Sequence, residues 1–537
     1  MHLVHRLVRV SLFSFCIVSL VALMGMARPV AAQVTAFKQA VAEAASRDKD
    51  IAAFYQSNGY APIWTGNSEQ DRARRGELMQ SLAHAAEHGL PDARYDIEGL
   101  MAQTKSARSA RDMGLLEVEF SKRFLAYARD IQTGVVVPSS IDPGLVRTVP
   151  YQDRATFLPE FATADPRDYL RDLPPRTPEY LALMKEKLRL ERELARGGWG
   201  PTVPGKKLEF GQTGDAIVAL RNRLIAKGYL ERTTTRSFDR DIQTAVLAFQ
   251  TAHGLTPEGV AGGDTLAEIN RSMQDRLQSV IVAMERERWL PRDRGERHIA
   301  VNLTDFSAKI YDSGKLTFET RSVIGKNTSD RRSPEFSDVM EFMVINPSWY
   351  VPRSIVTKEY LPQLQQNPNA VGHIEITDSR GRRINREATD FSQFTARSFP
   401  FAMRQPPSQS NALGLVKFMF PNPYNIYLHD TPAKNLFGRE VRAYSHGCIR
   451  LADPFDFAYT LLAKQTDDPE GFFKRQLSTG KETQVDLVQP VPVHIIYRTA
   501  FSDAKGAIQY RRDIYGRDAK IWDALQSAGV ALRGVQG

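Results

Sequence analysis

The spacing of apolar residues changes along the chain, from a helical period in its first part to strict alternation later. Leu78, Leu82 and Ala85 recur at helical spacing, and a second apolar stripe predicts a long helix from about 115 to 131. Residues 33–200 are therefore predicted to form a mostly helical domain. We interpret its aromatic residues as core rather than as a binding surface.

A stretch rich in glycine and proline, residues 198–207, is typical of a linker. After it, a helical stripe opens at Gly214-Asp215 and ends at Gly228-Tyr229, and a second stripe contains Val246 and Phe249. Helix pairs of this kind are common structural cores. The pattern predicts a small helical bundle over residues 206–272.

Alternation of period two begins at Arg297, where Ile299, Val301 and Leu303 face one side of a predicted strand. Further strands are predicted near 309–311, 316–323, 339–345 and 417–420, with a hairpin turn at 378–381. The interval 352–409 is long for a loop inside a compact β domain. Residues 297–497 are thus predicted to form a mostly-β domain. Residues 498–537 are predicted to follow as a charged tail with a helix near 519–528.

The N-terminus is typical of a secretory signal. Arg6 and Arg9 precede an apolar run from Val10 to Met26, and small residues end at Ala32. We predict cleavage after Ala32, so that 1–32 is a signal peptide. An uncleaved membrane anchor is the alternative, because the run reaches the lower limit of a membrane span.

Removal of residues 1–32 takes away Cys16 and three arginines, so the formal charge becomes +9 − 3 = +6 and one cysteine remains. An intramolecular disulfide is then impossible, and the surviving cysteine is either inert or a reactive thiol. The modest, dispersed positive charge suits an anionic substrate but not a nucleic acid. We predict no nucleic-acid partner and no cofactor.

The remaining cysteine lies in Tyr444-Ser445-His446-Gly447-Cys448-Ile449-Arg450, which follows a segment containing His429. A thiol with an ordinary pKa is only slightly ionised near neutrality, so a nucleophilic cysteine needs a base or a cation beside it. Gly447 allows a tight backbone path, and amides near Gly447 and Cys448 can stabilise an oxyanion. Tyr427 precedes His429 by two residues, so both share a face of a strand.

Other readings of these residues remain open. His429, His446 and Cys448 are three ligands that would suit a catalytic zinc, although no HExxH-type helix supports this, and we predict no metal. Arg450 is equally suited to a substrate carboxylate and to a structural salt bridge. A wall-binding protein without catalysis is a further alternative.

The sequence resembles the L,D-transpeptidases, bacterial enzymes that cross-link peptidoglycan. The signature is a histidine, a short spacer, and Ser-His-Gly-Cys followed by an arginine. Segments that resemble the large multidomain branch are Gln405-Pro406-Pro407, Asn411-Ala412-Leu413-Gly414, Lys417-Phe418-Met419-Phe420-Pro421-Asn422 and Tyr427-Leu428-His429-Asp430-Thr431-Pro432. The resemblance implies a multidomain α+β protein: a helical scaffold domain (33–200), a three-helix peptidoglycan-binding domain (206–272), and a mostly-β catalytic domain (297–497) with a capping insertion (352–409).

The resemblance also implies roles for single residues. Cys448 is the nucleophile and His429 its base, while His446 shapes the site. Asp430 could orient the imidazole, but the family relies on backbone carbonyls for this. Tyr427 could add an oxyanion donor.

The implied reaction begins with attack of the thiol on the third residue of a tetrapeptide stem and release of D-alanine. A second stem then resolves the acyl-enzyme to a 3-3 cross-link. Water, a protein amine or a D-amino acid are alternative acceptors, which would make the chain an L,D-carboxypeptidase or a protein-attachment enzyme. A periplasmic location, a role in cell-wall biogenesis and cell shape, reaction with carbapenems, and partnership with other cell-wall enzymes are expected on the same basis.

Overall fold

The computed structural model describes residues 35–534, so the predicted signal peptide lies outside the described residues. Contacts divide the chain into two compact units. The first contains, of the described residues, 35–78, 97–125 and 154–167, and the second contains 79–96, 126–153 and 168–534. No helix in residues 35–534 has the length and apolar character needed to cross a membrane.

The first part of the chain is helical, as predicted. Its helices are α1 (Ala36–Ala45), α2 (Lys49–Ser57), α3 (Glu69–Ala83), α4 (Asp92–Tyr95), α5 (Ile97–Ser106), α6 (Ala110–Thr133), α7 (Pro138–Ile141), α8 (Arg154–Thr163), α9 (Pro166–Asp172) and α10 (Pro178–Ala195), with a 3-10 turn at Ala85–His88. Side chains of Thr35, Asp48 and Thr177 cap the first turns of α1, α2 and α10. The long helix predicted at 115–131 is α6.

In the first unit, the carboxylate of Glu117 organises the loop before α3. It accepts hydrogen bonds from the backbone N–H groups of Ile63 at 2.6 Å and Thr65 at 2.7 Å. Trp64 is fully buried and its ring stacks on Phe161 with centroids 5.1 Å apart. The aromatic residues of this region serve as core, which confirms their interpretation from the sequence.

Residues 215–269 form three helices, α11 (Asp215–Ala226), α12 (Arg240–Ala252) and α13 (Gly263–Ile269), packed around one apolar core. Gln250 is buried in that core, where its side-chain amide donates to Val260 O at 2.9 Å. The Gly259 N–H in turn donates to Gln250 Oε1 at 2.9 Å. A satisfied amide of this kind fixes the loop between α12 and α13. Helix α14 (Met273–Arg288) follows and opens with a capping box at Ser272.

The alternating part of the sequence forms strands, as predicted. They are β1 (Arg297–Asn302), β2 (Ser307–Asp312), β3 (Lys315–Gly325), β4 (Phe336–Ile345), β5 (Trp349–Tyr350), β6 (Glu375–Thr377), β7 (Ala402–Gln405), β8 (Val416–Met419), β9 (Leu428–His429), β10 (Ala443–Ser445), β11 (Ile449–Leu451), β12 (Thr483–Ile496), β13 (Ala500–Ser502) and β14 (Ile508–Tyr510). Nine of them build one mixed sheet in the order β10-β3-β11-β9-β8-β4-β12-β1-β2. Because β2 also pairs with β3, eight of these strands close on themselves around a core.

The insertion 352–409, here called the cap, has a small apolar core of its own. It contains helices α15 (Arg353–Ile355) and α16 (Leu361–Gln366), a π-helical turn (Val356–Tyr360) between them, and a 3-10 turn (Phe391–Gln393). Strands β6 and β7 join β5 in a three-stranded sheet. The predicted hairpin is present, since Ile384 N donates to Ile376 O at 3.1 Å. The remaining helices of the large sheet are α17 (Pro454–Leu462) and α18 (Pro469–Ser478), with a 3-10 turn at Lys434–Gly438.

The segment expected as a charged tail is folded over residues 498–534. It forms the β13–β14 hairpin and helix α19 (Arg517–Ser527). The Tyr515 hydroxyl donates to Gly325 O at 2.5 Å, and Arg517 Nη2 donates to Ser333 O at 2.9 Å. The partners of these side chains lie far away in the sequence, so the sequence alone did not indicate that the segment packs against the large sheet. The helix predicted near 519–528 is α19.

Candidate active site

Strands β9 and β11 bring the two halves of the sequence signature side by side. They pair in parallel, with Leu428 opposite Ile449 and His429 opposite Arg450. The Ile449 N–H donates to Tyr427 O at 3.1 Å. One residue earlier, the same register brings Cys448 opposite Tyr427, so the nucleophile predicted from sequence lies beside strand β9.

The pleat of the sheet then decides which side chains face each other. Leu428, Ile449 and Leu451 are fully buried in the core of the large sheet. Because successive residues of a strand point to opposite faces, Tyr427 and His429 lie on the other face. Their ring centroids are 5.6 Å apart, which confirms that they share a face.

Cys448 is a half-buried free cysteine on this same face, directly before strand β11. Its thiol donates to Asn425 O at 3.4 Å, and both the hydroxyl and the backbone N–H of Tyr427 interact with the sulfur. Burial raises the pKa of the thiol to about 11, against the opposing effect of these hydrogen bonds and of Arg450. The resting sulfur is therefore a protonated thiol.

His429 is buried, with 4% of its surface exposed. Its Nδ1 lies 2.5 Å from Asp430 O, and because a carbonyl only accepts, Nδ1 carries the proton and Nε2 is the basic nitrogen. Burial, and then the charge of Arg450, lower its pKa to about 3. The imidazole is neutral at rest. Among residues 35–534, His429 and Cys448 form no hydrogen bond with each other, since the thiol is turned toward Asn425.

Asp430 supports His429 through its backbone and not through its side chain. Its carboxylate accepts from Lys434 Nζ at 2.7 Å and from the Leu415 N–H at 2.9 Å. Gly414, at φ +63°, makes room for this carboxylate, because a Cβ there would stand 2.2 Å from Asp430 Oδ2. The alternative that the carboxylate orients the imidazole is thus not realised.

The turn before Cys448 depends on Gly447, whose φ of +123° strains any other residue. Its N–H donates to Ser445 Oγ at 3.1 Å, and its carbonyl accepts from Ser333 Oγ at 2.6 Å. The Gly447 amide is therefore engaged within the turn. Among the described residues the Cys448 N–H has no hydrogen-bond partner, so it is a free donor for an oxyanion. The Tyr427 hydroxyl interacts with the sulfur at rest and is a second donor close to the same place.

His446 faces the cap. Its Nε2 lies 2.7 Å from Glu359 Oε1 in the π-helical turn, and Arg331 Nη2 donates to the same oxygen at 2.6 Å. A second ion pair joins Lys358 Nζ to Asp330 Oδ2 at 2.8 Å. The His446 contact ties the cap to the turn that carries Cys448, and the contacts of Arg331 and Asp330 tie it to the segment after β3. Short π-helical turns occur frequently at functional sites.

Arg450 lies on the same face as His429, and its Nε is buried without a hydrogen-bond partner. Within residues 35–534 no carboxylate forms a salt bridge with it. Burial lowers its pKa, and the nearest opposing influence is Cys448. Of the two readings of Arg450, the structural salt bridge is absent here.

Sequence reasoning missed several residues of this site. Ser333 and Glu359 come from segments far from the signature, and no local pattern marks them. Trp349 also belongs to the site, since its indole interacts with the Tyr427 hydroxyl. The described residues contain no group of three or more histidine, cysteine, aspartate or glutamate side chains placed to hold a metal ion.

Three family models match the chain. The L,D-transpeptidase catalytic domain matches residues 296–487, the Scaffold domain matches 49–186, and the "Putative peptidoglycan binding domain" matches 213–269. The family resemblance seen in the sequence is thereby confirmed for all three regions.

Individual proteins are also similar. A "Putative L,D-transpeptidase" of Haemophilus influenzae is 32% identical over 236 residues, which are 42% of this chain and 47% of that protein, so the match spans about half of the relative. The L,D-transpeptidase (Yku) structure from Stackebrandtia nassauensis has a TM-score of 0.22 and 14% identity, and covers 55% of this chain and 97% of its own. The L,D-transpeptidase structure (residues 123-326) from Xylanimonas cellulosilytica has a TM-score of 0.17 and 14% identity. The match covers 55% of this chain and 100% of that structure.

Proposed function

Because this chain belongs to the multidomain L,D-transpeptidases, we propose that it is a peptidoglycan L,D-transpeptidase that forms 3-3 cross-links through an acyl-enzyme on Cys448. The single observation that carries the proposal is the shared sheet face of Cys448, Tyr427, His429 and Arg450. This face carries a nucleophile, a base with a fixed tautomer, an oxyanion donor and a cation. Those are the groups that acyl transfer requires.

The first half-reaction starts from a neutral thiol and a neutral imidazole. The thiol rotates away from Asn425 O and gives its proton to His429 Nε2 as Sγ attacks the carbonyl carbon of the third stem residue. The developing oxyanion accepts from the Cys448 N–H and the Tyr427 hydroxyl. The C–N bond then breaks, His429 returns the proton to the leaving amine, and D-alanine departs.

The second half-reaction reverses these roles. The side-chain amine of another stem attacks the thioester, His429 takes its proton, and the C–S bond breaks as the thiol is restored. Water competes with this amine. The cap, held to the catalytic turn through Glu359 and His446, covers the thioester and favours the amine over water.

The test is incubation with purified tetrapeptide muropeptides, followed by mass spectrometry of the peptides and of the intact protein. We expect cross-linked dimer, free D-alanine, and a thioester adduct on Cys448. His429→Ala should slow adduct formation by several orders of magnitude, and His446→Ala should slow it less. Tripeptide without dimer would indicate a carboxypeptidase instead. Unchanged peptides and unmodified wild-type protein would contradict the proposal.

A protonated thiol beside a base also makes the site a candidate for β-lactam acylation. By its resemblance to the family, we expect a carbapenem to form a stable adduct on Cys448 and most penicillins to react poorly. Intact-protein mass spectrometry measures both adducts directly. An adduct of the same stability on Cys448→Ala would place the reaction elsewhere.

The remaining assignments follow from the same family membership. We assign residues 33–200 to the scaffold domain, 206–272 to the peptidoglycan-binding domain and 297–497 to the catalytic domain. A periplasmic location after cleavage of residues 1–32, and work alongside other cell-wall enzymes, fit a peptidoglycan substrate. N-terminal sequencing of the protein purified from the periplasm tests the cleavage site.

A further inference from the structure

Glu440 lies in the loop that leads from His429 to Cys448, and its side chain contacts a different domain. That domain is formed by helices α11–α13, here called the bundle, and belongs to the same compact unit as the large sheet. Glu440 Oε2 accepts from the backbone N–H of Thr256 at 2.9 Å and from the Thr256 hydroxyl at 3.2 Å. Thr256 lies between α12 and α13. The bundle therefore holds the loop that precedes the catalytic turn.

The other carboxylate oxygen of Glu440 is held by the C-terminal segment. Arg512, which follows β14, forms an ion pair with Glu440 Oε1, and the same guanidinium lies 3.7 Å from Asp264 at the start of α13. Next to it, Arg511 Nη1 donates to Ala252 O at 3.0 Å, at the end of α12. Glu440 is thus the carboxylate at which the loop, the bundle and the C-terminal segment meet.

Strand β10, which follows this loop, has few contacts with the large sheet. It is a three-residue strand at the edge of the sheet, and a bulge interrupts its pairing with β3. Before the strand, the Ile324 N–H donates to Arg442 O at 2.8 Å. At its end, the Lys326 N–H donates to Ser445 O at 2.9 Å. Because a short, bulged edge strand makes few ladder hydrogen bonds, its position depends on anchors outside the sheet.

Ser445 connects β10 to the catalytic turn. Its Oγ accepts from the Gly447 N–H at 3.1 Å and donates to Cys448 O at 2.5 Å. The free oxyanion donor, the Cys448 N–H, belongs to the same turn. A shift of β10 therefore displaces the nucleophile and this donor together, relative to His429.

A cavity of about 220 Å³ adjoins the loop. It is lined by residues from all three regions, among them Glu440 and Val441 of the loop, His253 of the bundle, Phe306 between β1 and β2, and Ile514 of the C-terminal segment. Empty space offers no packing contacts, so the loop is not fixed by apolar packing on this side. The polar contacts of Glu440 are therefore the ones that fix it to the bundle.

We propose that Glu440 is a positioning residue, and that the bundle supports catalysis by holding it. This deepens the proposed function and rests on it, because the turn that is positioned carries the proposed nucleophile. The bundle then regulates the thiol, in addition to the peptidoglycan binding expected of it. An event that separates Thr256 from Glu440 lowers turnover without altering any residue that touches the substrate. The loss falls on the chemical step, since small displacements of a reacting group slow it strongly.

Hydrogen exchange of the full-length protein tests the positioning without any substrate. Glu440→Ala removes a charge-assisted contact, so we expect exchange to become about tenfold faster at three amides that donate to the loop, to β10 or within the turn. They are the N–H groups of Ile324, Lys326 and Gly447. Glu440→Gln can still accept from Thr256 and should largely restore their protection.

The matched control for the exchange experiment is Glu470→Ala. Glu470 pairs with Lys474 on the exposed surface of α18, so its removal also takes one ion pair from the same domain. It should leave the exchange of the three amides unchanged.

Turnover of tetrapeptide tests the consequence for catalysis. Glu440→Ala should lower kcat about tenfold and leave KM within about twofold, because the displaced turn affects the reacting groups. Thr256→Pro removes both donors from the bundle side and should have the same effect. Thr234→Pro is the matched control: it makes the same substitution in another exposed loop of the bundle, where the N–H has no partner among residues 35–534. It should leave kcat unchanged.

Three results would overturn the proposal. They are equal exchange of the three amides in Glu440→Ala and wild type, equal kcat in Thr256→Pro and Thr234→Pro, and a rise in KM at constant kcat in Glu440→Ala. The exchange experiment separates this proposal from the proposed function. Cross-linking by the wild type together with unchanged exchange in Glu440→Ala would remove the positioning residue and leave the transpeptidase intact. Faster exchange in Glu440→Ala without cross-linking by the wild type would do the reverse.

Discussion

Two groups of buried charge in this molecule contrast with each other. Around helices α14 and α19, buried charged side chains pair with one another: Arg286 binds Glu335 at 2.5 Å and Asp518 at 2.8 Å, and Arg517 binds Glu335 at 3.2 Å. We call this the paired network. Lys417 and Arg450, which lie on either side of His429 on the catalytic face of the large sheet, have no carboxylate partner among residues 35–534. Both groups lie in the same compact unit of the chain.

The difference separates charges that hold the fold from charges that no carboxylate of the described residues compensates. Breaking a buried ion pair destabilises a protein because it leaves an uncompensated charge. Removing an unpartnered cation relieves a cost and harms only binding. Substitutions in the paired network should therefore change stability, and substitutions on the sheet face that carries Lys417, His429 and Arg450 should change chemistry.

The largest effect expected is chemical. Cys448→Ala should reduce cross-linking by more than about a thousandfold, since the covalent step is lost. Its free energy of unfolding should change by less than about 1 kcal/mol, because the half-buried thiol contributes little to the core. Product analysis and thermal unfolding give the two values. Residual turnover above that level would remove the covalent mechanism and weaken the contrast.

The converse substitution is Arg517→Met. It leaves Glu335 with one partner fewer in a fully buried position, so we expect a loss of about 3–5 kcal/mol in unfolding free energy. Arg475→Met is the control, since Arg475 pairs with Asp468 on the surface and should cost less than about 1 kcal/mol. Denaturant unfolding measures both. Equal costs would show that pairing and burial do not distinguish the two sites.

A third prediction uses the low pKa of His429, about 3 in the folded protein. The imidazole of the unfolded chain binds a proton near pH 6.5, whereas the folded imidazole stays neutral. The free energy of unfolding therefore falls as the pH drops from about 6.5 toward 3. His429→Gln removes this contribution. The stability of the wild type relative to the variant should fall by about 1.4 kcal/mol per pH unit within that window. A difference independent of pH would mean that folding does not lower the pKa of this imidazole.

The smallest effect is expected at the cap. Glu359→Gln weakens the contact between the π-helical turn and His446, where both side chains are about a third exposed. The pair is worth about 1 kcal/mol or less, so the ratio of dimer to hydrolysed tripeptide should fall by only a few fold. Shortening the cap within 352–409 should lower the ratio further while Cys448 stays reactive toward iodoacetamide. An unchanged ratio in a folded deletion variant would show that the cap is not a functional lid.

Much of this architecture was predictable because its signals are local. Alternation of Ile299, Val301 and Leu303 marks the first strand, and the helical stripe near Phe120 marks α6. The site was predictable only where it lies within the signature. Ser333 and Glu359 reach it through tertiary packing, and the pairing of Lys417 with His429 requires strand register, which the sequence does not display. The engaged N–H of Gly447 was missed for a different reason. Its partner, the side chain of Ser445, is only two residues away, and the contact depends on the conformation of the turn.

The contacts of the C-terminal segment determine when the catalytic turn can form during synthesis. Ser333, which holds the Gly447 carbonyl, is itself held by Arg517, and Tyr515 holds Gly325 beside it. The nucleophile is synthesised well before these supports. A nascent chain that has passed Cys448 thus has its complete signature but lacks the contacts that set the turn. We therefore expect the turn that carries the thiol to reach its final geometry only after residues 515–517 have packed.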